Sequence, residues 1–326
     1  MNYQTALDIP MKKLFVCGAL AVLTMLSTHA AEVRIDHPAY DKKWAATVTD
    51  RAVFYAPRWG AMYRQKWEEL VKIDPNTRAV AIHLHGCGGL AGYEFQVATF
   101  MMNQLGLAVI TPDFTARPGN KTGCPSVLGV SLPSETGGRE RIREGIFTAV
   151  NSARLDARTD DVEALVAYVK TITDKPIILS GHSEGGRTVY HYDKVDPRII
   201  GMAIHQQSCG SNYAHLWRLP TSYKTWQSLD DRDAWAAEPN GAVPNCAYRF
   251  KGDAQNNLTL FTQSGDNHAP LNTTAMKDSF AQWVNGLLGG SFVKQPIHNE
   301  VFLEETQEKY RHMYKSEALG SNQKRP

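Results

Sequence analysis

Ile177-Ile178-Leu179-Ser180-Gly181-His182-Ser183-Glu184-Gly185-Gly186 is the stretch that decides the fold. A short apolar strand (177–180) runs straight into Gly-x-Ser-x-Gly, and a helix is expected from 183 to beyond 190. Strand, sharp turn and helix are the context in which this pattern forms a nucleophile elbow. The reason is steric. A serine on such a turn has a strained backbone, and the flanking glycines remove side chains that would collide. Its hydroxyl then stands at a helix N-terminus, where backbone N–H groups can stabilise an anion. Ser183 is the candidate nucleophile.

Upstream, an apolar strand over 78–84 leads into His85-Gly86-Cys87-Gly88-Gly89. A glycine-bearing loop after an earlier strand is where such a site places its oxyanion donors. The expected donors are the backbone N–H groups of Cys87 and of Glu184, the residue after the serine. His85 is expected to brace this loop by hydrogen bonding, and Asp113, after a later strand, to be structural.

Further strands are expected over 107–111, 199–204, 221–227 and 258–262. Helices are expected over 95–105, 139–153, 160–172 (capped by Asp160-Asp161) and 274–288, with 115–136 a long loop. Apolar strands alternating with helices predict an α/β fold: a mostly parallel central sheet with helices on both faces. Residues 36–75 are aromatic and mixed, ending in the turn-like Asp74-Pro75-Asn76.

The chain order expected around such a serine is Ser, then Asp or Glu, then His. The histidines after Ser183 are His191, His205, His215, His268, His298 and His312. Of these, His268 alone lies in a loop directly after a late apolar strand, where parallel sheets place their sites. It is the expected general base. The acid should follow the preceding strand, where Asp230, Asp231 and Asp233 crowd one loop. Asp230 comes first after the expected strand end and is favoured, with Asp233 next and Asp231 third. Trp226 and Trp235 lie close enough in sequence to shape an apolar acyl or aryl pocket, or to be plain core.

Composition sets the outer bounds. The 326 residues are 43% apolar, enough for a sizeable core, and 35 Lys+Arg against 33 Asp+Glu leave no excess of basic charge for nucleic acid. Lys12 and Lys13 precede an apolar run of 13 residues (14–26), followed by small residues up to Ala30. That is the order of a secretory signal, and the run is well short of the roughly 20 residues a membrane span requires. The expected organisation is a signal peptide over 1–30, one domain over 31–295 and a polar tail over 296–326. Cleavage near Ala30 implies a periplasmic or secreted protein. Export leaves Cys87, Cys124, Cys209 and Cys246, an even number in an oxidising compartment. Cys87 with Cys124 and Cys209 with Cys246 are the expected pairs, because each brackets one region of the fold. The spacing of these cysteines does not suit a zinc site.

Together His85-Gly86-Cys87-Gly88-Gly89, Pro112-Asp113-Phe114 with Arg117-Pro118 and Cys124, and Gly181-His182-Ser183-Glu184-Gly185-Gly186 resemble the dienelactone hydrolase family of the α/β-hydrolase superfamily. The resemblance covers roughly residues 79–288. It implies an α/β-hydrolase fold, an esterase or lactonase activity on small-molecule substrates, a catalytic triad and no cofactor. Family members that open dienelactones carry cysteine at the elbow, where this chain has Ser183, so the resemblance points to ester hydrolysis in general. A serine peptidase would share the elbow but usually adds a gating domain. A catalytically silent α/β-hydrolase used for binding would usually lack a triad member.

Overall fold

The computed structural model describes residues 41–90, 92–118, 126–127, 130–131, 144–210, 216–237 and 241–293, with only the backbone of 126–127, 130–131 and 144–152. The expected leader (1–30), the tail (296–326) and Cys124 lie outside these residues.

In chain order the elements are α1 (Ala45–Asp50), β1 (Val53–Ala56), β2 (Gly60–Met62), α2 (Arg64–Ile73), β3 (Ala79–Leu84), α3 (Gly92–Leu105) and β4 (Leu107–Thr111). A two-stranded ribbon follows, β5 (Ser126–Val127) with β6 (Val130–Ser131). Then come α4 (Glu144–Ile172), β7 (Ile177–His182), α5 (Glu184–His191), β8 (Ile199–His205), β9 (Thr225–Asp230), β10 (Leu258–Gln263) and α6 (Thr274–Leu287).

One eight-stranded sheet has the order β10-β9-β8-β7-β3-β4-β1-β2. The run from β10 to β4 is parallel, while β1 is antiparallel to both β4 and β2. The expected mostly parallel α/β sheet is the one that forms. Strict alternation sends the side chains of each inner strand to two separate cores. Val80, Ile82 and Leu84 of β3, with Leu179 of β7, join Trp67, Leu165 and Val189 of α2, α4 and α5 on one face. Ala79 and Ala81, with Ile178, meet Met101 of α3 and Phe280 of α6 on the other. Each such fully buried large side chain contributes about 1.5–3 kcal/mol. Both faces being covered explains why the central strands read as unbroken apolar runs.

Three local expectations are corrected. Residues 139–153 and 160–172 do not form two helices: α4 is continuous from Glu144 to Ile172. No Gly or Pro interrupts it between 154 and 172, and Asp161 is not a cap but a buried partner of Arg117. The strand expected over 221–227 starts later, because Tyr223 N donates to Pro220 O in a turn and Thr225 opens β9. Finally, residues 41–73, to which the sequence assigns no element, supply α1, α2 and the β1–β2 hairpin that closes one edge of the sheet. Among the described residues, no helix is long and apolar enough to cross a membrane.

Candidate active site

β7 lies in the middle of the sheet, and its carboxyl end carries Ser183 at φ 54° and ψ −118°, with α5 beginning at the next residue. Positive φ at a residue with a side chain costs about 1–3 kcal/mol, a strain characteristic of functional sites. The glycines show why the turn can exist at all. A Cβ on Gly181 would collide with the backbone of Gly185, and one on Gly185 would collide with the carbonyls of Leu84 and His85. α5 thus starts in direct contact with the end of β3. Ser183 is pinned by its N–H, which donates to His205 O of β8 at 2.9 Å, and it is only 9% exposed.

The loop after β3 closes on the serine from the other side. A Cβ built on Gly86 would stand 3.3 Å from the Cβ of Ser183, so the chain entering Cys87 passes directly over the nucleophile candidate. His85 braces this loop as expected. Its Nε2 accepts from Phe114 N at 3.0 Å, which leaves the proton on Nδ1 to donate to Gly86 O at 2.5 Å. Burial, helped by Arg158 nearby, holds this imidazole neutral, its pKa pushed down to about 4. Cys87 is disulfide-bonded, and its expected partner Cys124 is outside the described residues. Cys209 and Cys246 are bonded to each other, closing a separation of 37 residues.

Arg158 ties the two expected oxyanion-donor segments together. Its guanidinium donates to His85 O and, at 2.7 Å, to the carboxylate of Glu184. Arg154 reaches the same Glu184 oxygen at 2.6 Å. Burial alone would raise the Glu184 pKa, but the two arginines outweigh it and hold the carboxylate at about 2. The first turn of α5 is therefore locked to the loop that carries Cys87.

His268 follows β10, and its Nδ1–H donates to Asp233 Oδ2 at 2.6 Å. Asp233 is fully buried, and its other oxygen accepts from Trp235 N at 2.9 Å. This tautomer leaves the His268 Nε2 lone pair as the basic atom. Burial pushes the pKa of His268 down, the hydrogen bond to Asp233 opposes this, and neighbouring His182 adds to the lowering.

The pairing favoured for His268 is corrected: its hydrogen-bond partner is Asp233, not Asp230. β9 runs through Asp230, whose side chain is consumed within the sheet end. Its Oδ1 accepts from Gln206 Nε2 at 2.9 Å and Gln263 Nε2 at 2.8 Å, and its Oδ2 accepts from Asn267 N at 3.1 Å. Asp230 thus shapes the loop before His268 without touching the imidazole. Asp231 accepts from Gly265 N at 3.0 Å on the outside of the same turn. Asp113 caps a short turn by accepting from Thr115 N, the structural part expected of it.

A link that the sequence did not reveal joins the three pieces. Glu94, in the first turn of α3, is almost fully buried, and its Oε1 accepts from Gly86 N and from His182 Nδ1, both at 3.2 Å. His182 Nε2 in turn donates to His268 O at 2.8 Å. Burial would raise the Glu94 pKa, but the His182 contact outweighs it and brings the carboxyl to about 2. The one available signal was an acid a few residues past a glycine loop. It was hidden because α3 begins at Gly92, ahead of the expected start at 95.

An elbow serine ending a central parallel strand, with an acid and a histidine on loops after later strands, is the arrangement of the α/β-hydrolase fold. This chain adopts that fold. No protein-family model and no curated protein matches it. Among solved structures it is similar to an esterase from Butyrivibrio proteoclasticus, at 15% identity and a TM-score of 0.42, over 72% of this chain and 93% of the other. It is also similar to a cold-adapted esterase from an Arctic intertidal metagenomic library, at 16% identity and a TM-score of 0.41, over 68% and 85% of the two chains. A third is a dienelactone hydrolase-like promiscuous phosphotriesterase from metagenomic libraries, at 14% identity and a TM-score of 0.40, over 66% and 87%.

Proposed function

We propose that this chain is an exported serine hydrolase that cleaves carboxylic esters or lactones through an acyl-enzyme. The observation that carries the reading is the 2.6 Å hydrogen bond from His268 to buried Asp233, on a loop whose backbone is tied to His182, the residue before Ser183. Ser183 Oγ attacks the ester carbonyl while His268 Nε2 takes its proton. Asp233 holds the imidazole in the required tautomer and stabilises the imidazolium that forms. The negative charge on the former carbonyl oxygen rests on the N–H groups of Cys87 and Glu184, and losing one such donor typically costs about 10²–10³ in rate. His268 then gives its proton to the leaving alkoxide, so the alcohol departs and Ser183 stays acylated. Water, deprotonated by His268, releases the acid and restores the serine. Residues 1–30 act in this reading as the export signal, and the oxidised cysteines suit a protein that works outside the cytoplasm.

Steady-state hydrolysis of p-nitrophenyl acetate and butanoate by the mature protein, beside Ser183→Ala, tests the proposal. Turnover that disappears in the variant supports it. Equal rates in both proteins, or no turnover of any ester by the wild type, would overturn it.

A further inference from the structure

Four aromatic rings form a continuous row across the site. Tyr93 lies edge-on to His182 at 5.9 Å, His182 is 5.0 Å from His268, and His268 is 6.1 Å from Trp235 at an interplanar angle of 37°. The middle of the row is sunk into the protein, while its ends are open: Tyr93 is 47% exposed and Trp235 56%. Of the seven tryptophans in the chain, Trp235 alone is exposed. Trp226, the other tryptophan of this segment, is core, packed on Phe280 with its indole N–H on Ser279 Oγ. Trp235 is instead held by its backbone, whose N–H is fixed by the same carboxylate that orients His268. An exposed indole beside the imidazole of His268, on a backbone fixed by Asp233, is a stacking surface for a substrate ring.

Its position says which part of the substrate it meets. His268 must hand its proton to the leaving alkoxide, so the alcohol portion of an ester has to lie against that imidazole. His182, the nearer ring, is buried, and the exposed ring alongside is Trp235. We infer that Trp235 is a specificity-determining residue that selects esters of aromatic alcohols, aryl or benzyl, by stacking on the ring of the leaving group. This rests on the serine-hydrolase reading above.

The test compares kcat/KM for benzyl acetate and butyl acetate, which share the acyl group, in the wild type, Trp235→Ala and Trp235→Phe. Both variants keep the backbone N–H that Asp233 requires. An aromatic stack contributes about 0.5–1.5 kcal/mol beyond area, so the benzyl-to-butyl ratio should fall roughly fivefold in Trp235→Ala and be retained in Trp235→Phe. An unchanged ratio in Trp235→Ala overturns the inference. So does a drop seen instead for methyl benzoate against methyl butanoate, which would place the ring on the acyl side. Absence of turnover of all four esters by the wild type overturns the underlying reading, whereas turnover with a flat ratio overturns only this one.

Discussion

Glu94 and His182 meet through one carboxylate oxygen at 3.2 Å, both of them buried, although they lie 88 residues apart in the chain. His182 sits between this carboxylate and the carbonyl of His268, and a carbonyl can only accept. Its Nδ1 faces the carboxylate and its Nε2 the carbonyl, so one imidazole bridges the two. The same Glu94 oxygen accepts from Gly86 N, so one carboxylate ties the loop of Cys87 to His182 and, through it, to the loop of His268.

Glu94→Gln keeps an acceptor of the same shape but removes the charge that strengthens its hydrogen bonds with Gly86 N and His182 Nδ1. Weakening a charged hydrogen bond by about 1.5 kcal/mol predicts a roughly tenfold lower kcat with KM within about twofold. Initial-rate kinetics check it; an unchanged kcat would contradict the linking role.

The two aspartates of the β9 end separate by function. Asp233→Asn should lower kcat/KM by about 10⁴, because the amide cannot hold the Nδ1–H tautomer against a developing imidazolium. Asp230→Asn should lose only about tenfold, through the weaker hold on Asn267. Comparable losses in both variants would argue against Asp233 as the partner of the base.

Activity should persist into mild acid. The His268 pKa is pushed below its ordinary 6.5 by burial, only partly offset by Asp233, so the base stays unprotonated below that pH. The acidic limb of a kcat/KM profile is expected below pH 6.5. A limb above pH 7 would contradict the burial seen here.

Folding stability should fall over part of that same range. His83, His85 and His205 are buried, with burial as the main cause of lowered pKa values, to about 3 for His83 and about 4 for His85, and well below 6.5 for His205. The unfolded chain therefore takes up protons first, and stability is lost as pH drops through 6.5 towards 4. At pH 5 the cost is about 2 kcal/mol for each of His83 and His85. Glu94 and Glu184, held near 2, contribute stability that is complete above 4.5 and is lost only as pH falls from there towards 2. Urea unfolding at pH 7.5, 5 and 3.5 would show the two stages, and equal midpoints at pH 7.5 and 5 would contradict the first.

Removing the Cys209–Cys246 bond frees a loop of 37 residues in the unfolded chain. Loop entropy predicts a loss of about 4 kcal/mol, or roughly 10 °C in Tm. Cys209→Ala with Cys246→Ala, followed by thermal unfolding, measures it.

The elbow was legible because its requirements are local. Gly181 must lack a side chain for β7 to turn into α5, and Gly185 for α5 to meet the end of β3, and both glycines stand within five residues of the sequence. His268 was legible because a loop follows an unmistakable strand. Asp233 was not, because choosing among three neighbouring aspartates depends on where β9 ends. That end is set by Gln206, just after β8, and Gln263 of β10, which hold the Asp230 side chain within the sheet end. Glu94, Arg154 and Arg158 were invisible for a related reason. Each acts through contacts between segments that only the folded sheet brings together.

The central claim is that Ser183 is a nucleophile activated by His268 and Asp233. Treatment of the mature protein with a fluorophosphonate, followed by peptide mapping by mass spectrometry, tests it most directly. The account predicts one adduct, on the peptide containing Ser183, and loss of labelling in His268→Ala. No adduct, or an adduct on another residue, would contradict it.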